Sequence, residues 1–210
     1  MIGKKYSIAA TISALAFAMT PGLVQALDQS VGPIYPIADT YVSSAHPNTN
    51  YGTSVRLWSQ NDTEQNYSLL KFDLTSAVDT DGNNPCTQYV GTPGGSMYMK
   101  VDAVSDGGHN AWLGETSTWT ETGVTWNNMP AIRTINSNPI LLTDYPTLST
   151  QEDSVNDWTT FSLLDSISNA CAYNSGILTV IVKDGSTDAV AWRSSRASSN
   201  TPYAYFTVGD

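Results

Sequence analysis

The sequence predicts an all-β fold: a single domain built as an antiparallel β-sandwich or jelly roll. Three observations lead there. Short stretches of period-two alternation recur, as in Met97, Met99, Val101 and Ala103 set against Tyr98, Lys100 and Asp102. Strong turn clusters separate them, among them Asp81-Gly82-Asn83-Asn84-Pro85, Thr92-Pro93-Gly94-Gly95 and Asp106-Gly107-Gly108. Only 13% of the residues are charged, and Ser, Thr, Asn and Gly take their place, a composition suited to extracellular β-rich domains.

Residues 1–26 read as a secretory signal peptide. Lys4 and Lys5 lead an uncharged run from Ser7 to Met19, followed by Thr20-Pro21-Gly22 and the small-residue site ending at Ala26. A membrane anchor is the alternative, but the apolar run is short against the roughly 20 residues that span a bilayer. The expected mature protein is therefore secreted, extracellular or at the cell surface, with no membrane span left after cleavage. Residues 27–36 form an extended arm whose Pro33 and Pro36 exclude a central strand. The arm is either an ordered edge or a free segment.

Residues 37–210 form the domain. Its expected strands are Ile37 to Val42, Val55 to Ser59, Tyr67 to Leu74, the alternating run at Met97, Ile140 to Leu142, Trp158 to Ser162, Ile177 to Lys183, Ala189 to Ser194 and Tyr203 to Val208. Only Leu163 to Ala170 offers a helical turn or two. Strands without βαβ spacing, repeat or linker point to one sandwich.

Nine basic residues against 19 acidic ones give a net charge of −10. Loss of residues 1–26 removes two lysines and no acid, so the mature charge is −12. The cationic field that nucleic acids require is absent, and nucleic acid is excluded as a main partner. Cys86 and Cys171 are the two cysteines. In an oxidising compartment they most simply form one disulfide, and the lack of a CxxC pair argues against a cysteine metal site.

Catalytic signals are thin. His46 and His109 lie in loops without a nucleophile motif. Ser68-Leu69-Leu70-Lys71 matches SxxK in form only, because on a strand its serine and lysine face opposite ways. Glu115 and Glu121 flank Trp119, and Asp184 and Asp188 flank a turn, but surface solvation explains such pairs in an acidic chain. The one cofactor the sequence suggests is calcium. Asp79, Asp81 and Asn83 resemble the start of an oxygen-rich loop without its closing glutamate, and Asp39 is a second candidate ligand.

The order of several short motifs resembles the DNRLRE-type domains, a group classed among carbohydrate-binding modules of secreted and cell-surface proteins. Ala38-Asp39-Thr40-Tyr41-Val42 comes first, then Asn50-Tyr51-Gly52 and Leu70-Lys71-Phe72-Asp73-Leu74. Trp119-Thr120-Glu121 and Val124-Thr125-Trp126-Asn127-Asn128-Met129-Pro130 follow, and Ser194-Ser195-Arg196 leads to Thr201-Pro202 and a last strand. The likeness implies a jelly roll that binds polysaccharide without cleaving it. Ala197 stands where that group usually has an acidic residue, and the chain carries no attached enzyme to target, which adds weight to adhesion or assembly.

Sugars are held by aromatic faces and a few fixed polar groups. Trp58, Trp112 and Trp192 are candidates, while Trp119 and Trp126 equally suit a core beneath a long loop. Arg56, Lys71, Lys100, Lys183 and Arg193 all fall in or beside expected strands. Lysine and arginine there serve either as edge protection or as a local cationic face for acidic sugars. The expected ligand-binding set is Tyr51, Arg56, Trp58, Lys71, Lys100 and Arg193 on the solvent side of one sheet. The reading is a secreted, non-catalytic polysaccharide-binding domain for adhesion or matrix attachment. Its alternative is a self-assembling subunit of an extracellular filament or matrix, joined by donation of the arm 27–36 to a neighbour.

Overall fold

A computed structural model describes residues 29–79, 82–87, 94–104, 109–135, 137–139, 154–163, 166–184, 187 and 189–208. It is an all-β protein, as the alternation predicts. Strands β1 (Gln29–Ile34), β2 (Ala38–Ser43), β3 (Arg56–Asn61), β4 (Gln65–Asp73), β5 (Gly95–Val104) and β6 (His109–Leu113) are followed by the short pair β7 (Thr134–Ile135) and β8 (Asn138–Pro139). Then come β9 (Trp158–Ser162), helix α1 (Ser166–Tyr173), β10 (Ile177–Asp184), β11 (Ala189–Arg193) and β12 (Tyr203–Val208).

Ten strands form one antiparallel sheet in the order β1-β12-β5-β11-β3-β4-β10-β6, with β2 joined to β4 and β9 joined to β5. The β3–β4 hairpin is its corner. Asn66 of β4 pairs with Ser43 on one flank and Gln60 on the other, and two residues later Ser68 pairs with Val182 of β10. Strand β10 has taken the flank that β3 leaves. The sheet therefore curls into two facing halves, β2-β4-β10-β6 and the half containing β3, β11, β5, β9, β12 and β1.

Both halves fill one core. Leu57, Met97, Met99, Val101, Trp192 and Phe206 come from one side, and Leu70, Phe72, Leu113 and Val180 from the other. Full burial of such side chains contributes about 1.5–3 kcal/mol each. A second core lies on the outer side of β4 and β10. There the loop 114–133 covers Leu69 and Ile181 with Trp119 and Val124, joined by Ala38 and Val42.

Several expectations change in detail. Strand β6 was hidden by the turn signal at 106–108 and by His109 and Asn110, poor strand formers. Its Ala111 and Leu113 nonetheless alternate into the core. Ala103 is not the inward continuation of Met97, Met99 and Val101. The β5–β11 register shifts there, since Ala191 pairs with Ala103 but Trp192 pairs with Val101. Asp102 is the extra residue of a β-bulge, which turns both Asp102 and Ala103 outward. Residues 29–34 of the arm form an ordered edge strand on β12, with Val31 and Ile34 buried. The helical turns lie three residues later than expected, and the expected strand Ile140 to Leu142 lies outside the described residues.

Candidate functional site

The outer face of the half-sheet β3-β11-β5-β9-β12 is built by the residues that alternate away from the core. Strand β3 offers Arg56 and Trp58, β11 offers Arg193, and β5 offers Tyr98, Lys100 and Asp102. Register brings them together: Arg56 pairs with Arg193, and Trp58 with Ala191. Four of the six expected ligand residues, Arg56, Trp58, Lys100 and Arg193, thus share one face.

The bulge aims Asp102 at the two arginines. Its Oδ2 accepts from Arg56 Nε at 2.6 Å and its Oδ1 from Arg193 Nε at 3.4 Å. The Arg56 hydrogen bond, with a smaller contribution from Arg193, holds the Asp102 carboxyl below the usual carboxylate range against the opposing effect of partial burial. Two arginines sharing one carboxylate leave a net positive charge. Beside them lies an open depression of about 400 Å³ lined by Val55, Asp102, Arg193, Arg196, Ala197 and Ser198. Lys100 sits on the same face, donates to the Asn156 carbonyl, and holds its ammonium 5.2 Å from the centre of the Trp158 ring.

Trp158 opens an aromatic patch that sequence reading did not assemble. Tyr98 and Tyr203 stack with centroids 4.9 Å apart, and Trp158 meets Tyr203 edge-on at 5.2 Å. Tyr205 contacts Tyr203 at 5.8 Å and Tyr98 at 6.3 Å, both edge-on. Burial, then the neighbouring phenols of Tyr98, Tyr205 and Tyr35, hold the Tyr203 phenol above its ordinary range. The signal in the sequence was Tyr203-Ala204-Tyr205, two rings on one strand face, but pairing with Tyr98 across the sheet needs the register.

Other expected residues lie elsewhere. Lys71 is a correction: it belongs to the second core and not to the solvent side of the cationic face. Its Nζ donates to the Trp119 carbonyl and stands 4.5 Å from the Trp119 ring centre, and burial lowers its pKa. Trp192 is also corrected from ligand candidate to core, fully buried with its Nε1 donating to Thr159 Oγ1 at 2.9 Å. Tyr51 stacks on Tyr41 of β2 at 4.2 Å. Trp119 and Trp126 lie under or within the loop 114–133, as its length allowed.

The motif residues that gave the resemblance largely tie loops to strands. Asp39 is buried, and its Oδ2 and Oδ1 accept from the amide and hydroxyl of Ser195 at 2.6 and 2.8 Å. Its own amide donates to Glu121 Oε1 at 3.2 Å, while Glu121 Oε2 accepts from Arg196. Asn50 Nδ2 donates to the carbonyls of Glu121 and Val124, both at 2.7 Å. A Cβ at Gly52 would stand 2.2 Å from the Glu121 carbonyl oxygen, so only glycine fits there. Asp79 closes its own turn, accepting from the amide of Asn83 at 2.8 Å and its side chain at 3.3 Å. Asp81 lies outside the described residues, and among the described residues no three acid, histidine or cysteine side chains gather as a metal site. Cys86 and Cys171 form a disulfide that ties the segment after β4 to α1.

No helix among the described residues is long and apolar enough to cross a membrane. No curated protein sequence matches the chain. A family model matches residues 31–208, which takes in every strand of the curled sheet, most of β1 included, and on that match the chain belongs to carbohydrate-binding module family 96.

Proposed function

We propose that this chain is a secreted, non-catalytic polysaccharide-binding domain whose ligand lies along the outer face of β3, β11, β5, β9 and β12. Family membership supports carbohydrate binding. The observation that carries the placement is the convergence of Arg56, Arg193 and Lys100 on one face with Trp58, Tyr98 and Trp158. Arginine forks suit carboxylate or sulfate groups, and rings suit the apolar faces of sugars. The preferred ligand is an acidic polysaccharide. The protein's overall negative field is screened over about 8–10 Å at physiological salt, so a local cationic cluster still acts at contact. Calorimetric titration with polygalacturonate at low and high salt tests this: binding that weakens as salt rises is expected, and no binding at low salt overturns it.

Self-assembly is the second reading. It is favoured by the position of β1, which among the described residues is an edge strand paired with β12 alone and is joined to β2 through exposed Tyr35 and Ile37. In this reading β1 leaves its own subunit and pairs with β12 of the next, a head-to-tail contact that propagates. Light scattering of the mature protein at high concentration checks it; a monomer throughout ends the reading.

A further inference from the structure

A trough of about 380 Å³ lies where β1, β12 and β5 meet, lined by Ser30, Gly95, Ser96, Tyr98 and Tyr205. Its volume is at the small end of the range of ligand pockets, roughly 300–1,000 Å³. It shares none of its described lining residues with the arginine depression, and none of them is charged.

Its walls are fixed by close packing. Tyr205 pairs with Ser96 across the β12–β5 ladder, and the stacked Tyr98–Tyr203 pair meets it edge-on. The Tyr205 ring also lies against the backbone of β1. A Cβ at Gly32, whose φ is +148°, would stand 2.7 Å from the Tyr205 Cδ1. Gly95 gives the trough backbone only; it pairs with Phe206, so a Cβ there would point to the core side and meet the Phe206 ring at 2.6 Å. Ser30 and Ser96 add hydroxyls to an otherwise aromatic rim. Rings held in place beside hydroxyls, without a charge, match one uncharged pyranose: its apolar face against a ring and its hydroxyls at the serines.

We infer that this trough is a second subsite, specific for a neutral sugar residue and completed by the N-terminal strand. It rests on the polysaccharide-binding reading and refines it. Tyr98, Lys100 and Asp102 follow one another along one face of β5, so the trough and the arginine depression lie about 13 Å apart at 3.2–3.4 Å per residue. One ligand chain reaches both. The natural ligand is then a mixed polymer that presents a neutral residue at Tyr205 and an acidic group at Arg193.

The test is calorimetric titration of the folded protein with cellohexaose, mannohexaose and xylohexaose, and separately with polygalacturonate, each at low and high salt. At least one neutral hexasaccharide is expected to bind with little salt dependence. Tyr205→Ala, and Ser96→Leu, which fills the trough from its outward-facing side, are each expected to weaken that binding by roughly tenfold. Both should leave polygalacturonate binding largely intact, while Arg193→Ala should do the reverse. Tyr205→Phe keeps the ring and should retain neutral binding. If none of the three hexasaccharides binds while polygalacturonate still does, the neutral subsite is wrong and the broader reading stands. If neutral binding falls with Arg193→Ala but not with Ser96→Leu, the subsite is wrongly placed. If neither class of glycan binds, both readings fall.

Discussion

The carboxylate of Asp39 in β2 accepts two hydrogen bonds from Ser195, its amide at 2.6 Å and its hydroxyl at 2.8 Å, across 156 residues of sequence. The contact fastens the turn after β11 to the edge strand β2. Glu121 and Arg196 close the same knot from the long loop and from the turn.

That knot gives stability a pH dependence. Burial pushes the Asp39 pKa up to about 6, more than the Ser195 hydrogen bonds pull it down, and the Glu121 charge adds to the rise while Arg196 opposes it. An unfolded aspartate titrates near 3.9. Between about pH 4 and pH 6 the folded state therefore binds more protons than the unfolded one, and the stability from this group falls as pH rises. The span amounts to about 2–3 kcal/mol. Urea midpoints between pH 4 and 7 should show this component in the wild type and lose it in Asp39→Asn. Identical profiles for the two proteins would contradict the buried-carboxylate account.

Asp102 sets the charge of the cationic face. Asp102→Asn frees Arg56 and Arg193 from their shared carboxylate, so polygalacturonate affinity should rise and its salt dependence steepen. Arg193→Ala should lower affinity by about 1–3 kcal/mol, the range for a charge-assisted bond. Titration calorimetry on the two variants decides; a loss of affinity in both would mean that the ion-paired cluster is structural.

Lys71 and Trp119 belong to the second core, and their substitution should separate stability from binding. Trp119→Ala should destabilise the fold by about 3–5 kcal/mol, as large core truncations do. Lys71→Met leaves the Trp119 carbonyl without its donor and should cost about 1–3 kcal/mol. Neither should change glycan affinity of the folded protein. Denaturant melts beside binding isotherms check both halves, and weaker polygalacturonate binding by folded Lys71→Met would restore Lys71 to the ligand face.

The Cys86–Cys171 bond closes a long loop, with a sequence separation of 85. Thiol titration of the unfolded, unreduced protein should find no reactive thiol. Reduction should lower stability by up to about 4–5 kcal/mol in the chain-entropy treatment, read as a shift in urea midpoint. An unchanged midpoint after full reduction would mean that the bridge constrains little in the unfolded chain.

The sequence by itself determined the all-β class, the positions of most strands and the cysteine pairing. These depend on local alternation, turn chemistry and the small number of ways two thiols can pair. It also placed Arg56, Trp58, Lys100 and Arg193 on strands. Tertiary structure alone decided which strand faces are open to solvent. Lys71 alternates outward just as Arg56 does, but the loop 114–133 folds over β4 and turns that outward face into a second core. The bulge at Asp102 reverses Ala103 because one extra residue on β5 changes the phase of a period-two pattern. Tyr98, Trp158, Tyr203 and Tyr205 come from three strands distant in sequence, and only antiparallel register sets their rings side by side. Alternation tells which residues share a side of a strand; the fold of the sheet and its loops decides whether water, a ligand or the protein itself covers that side.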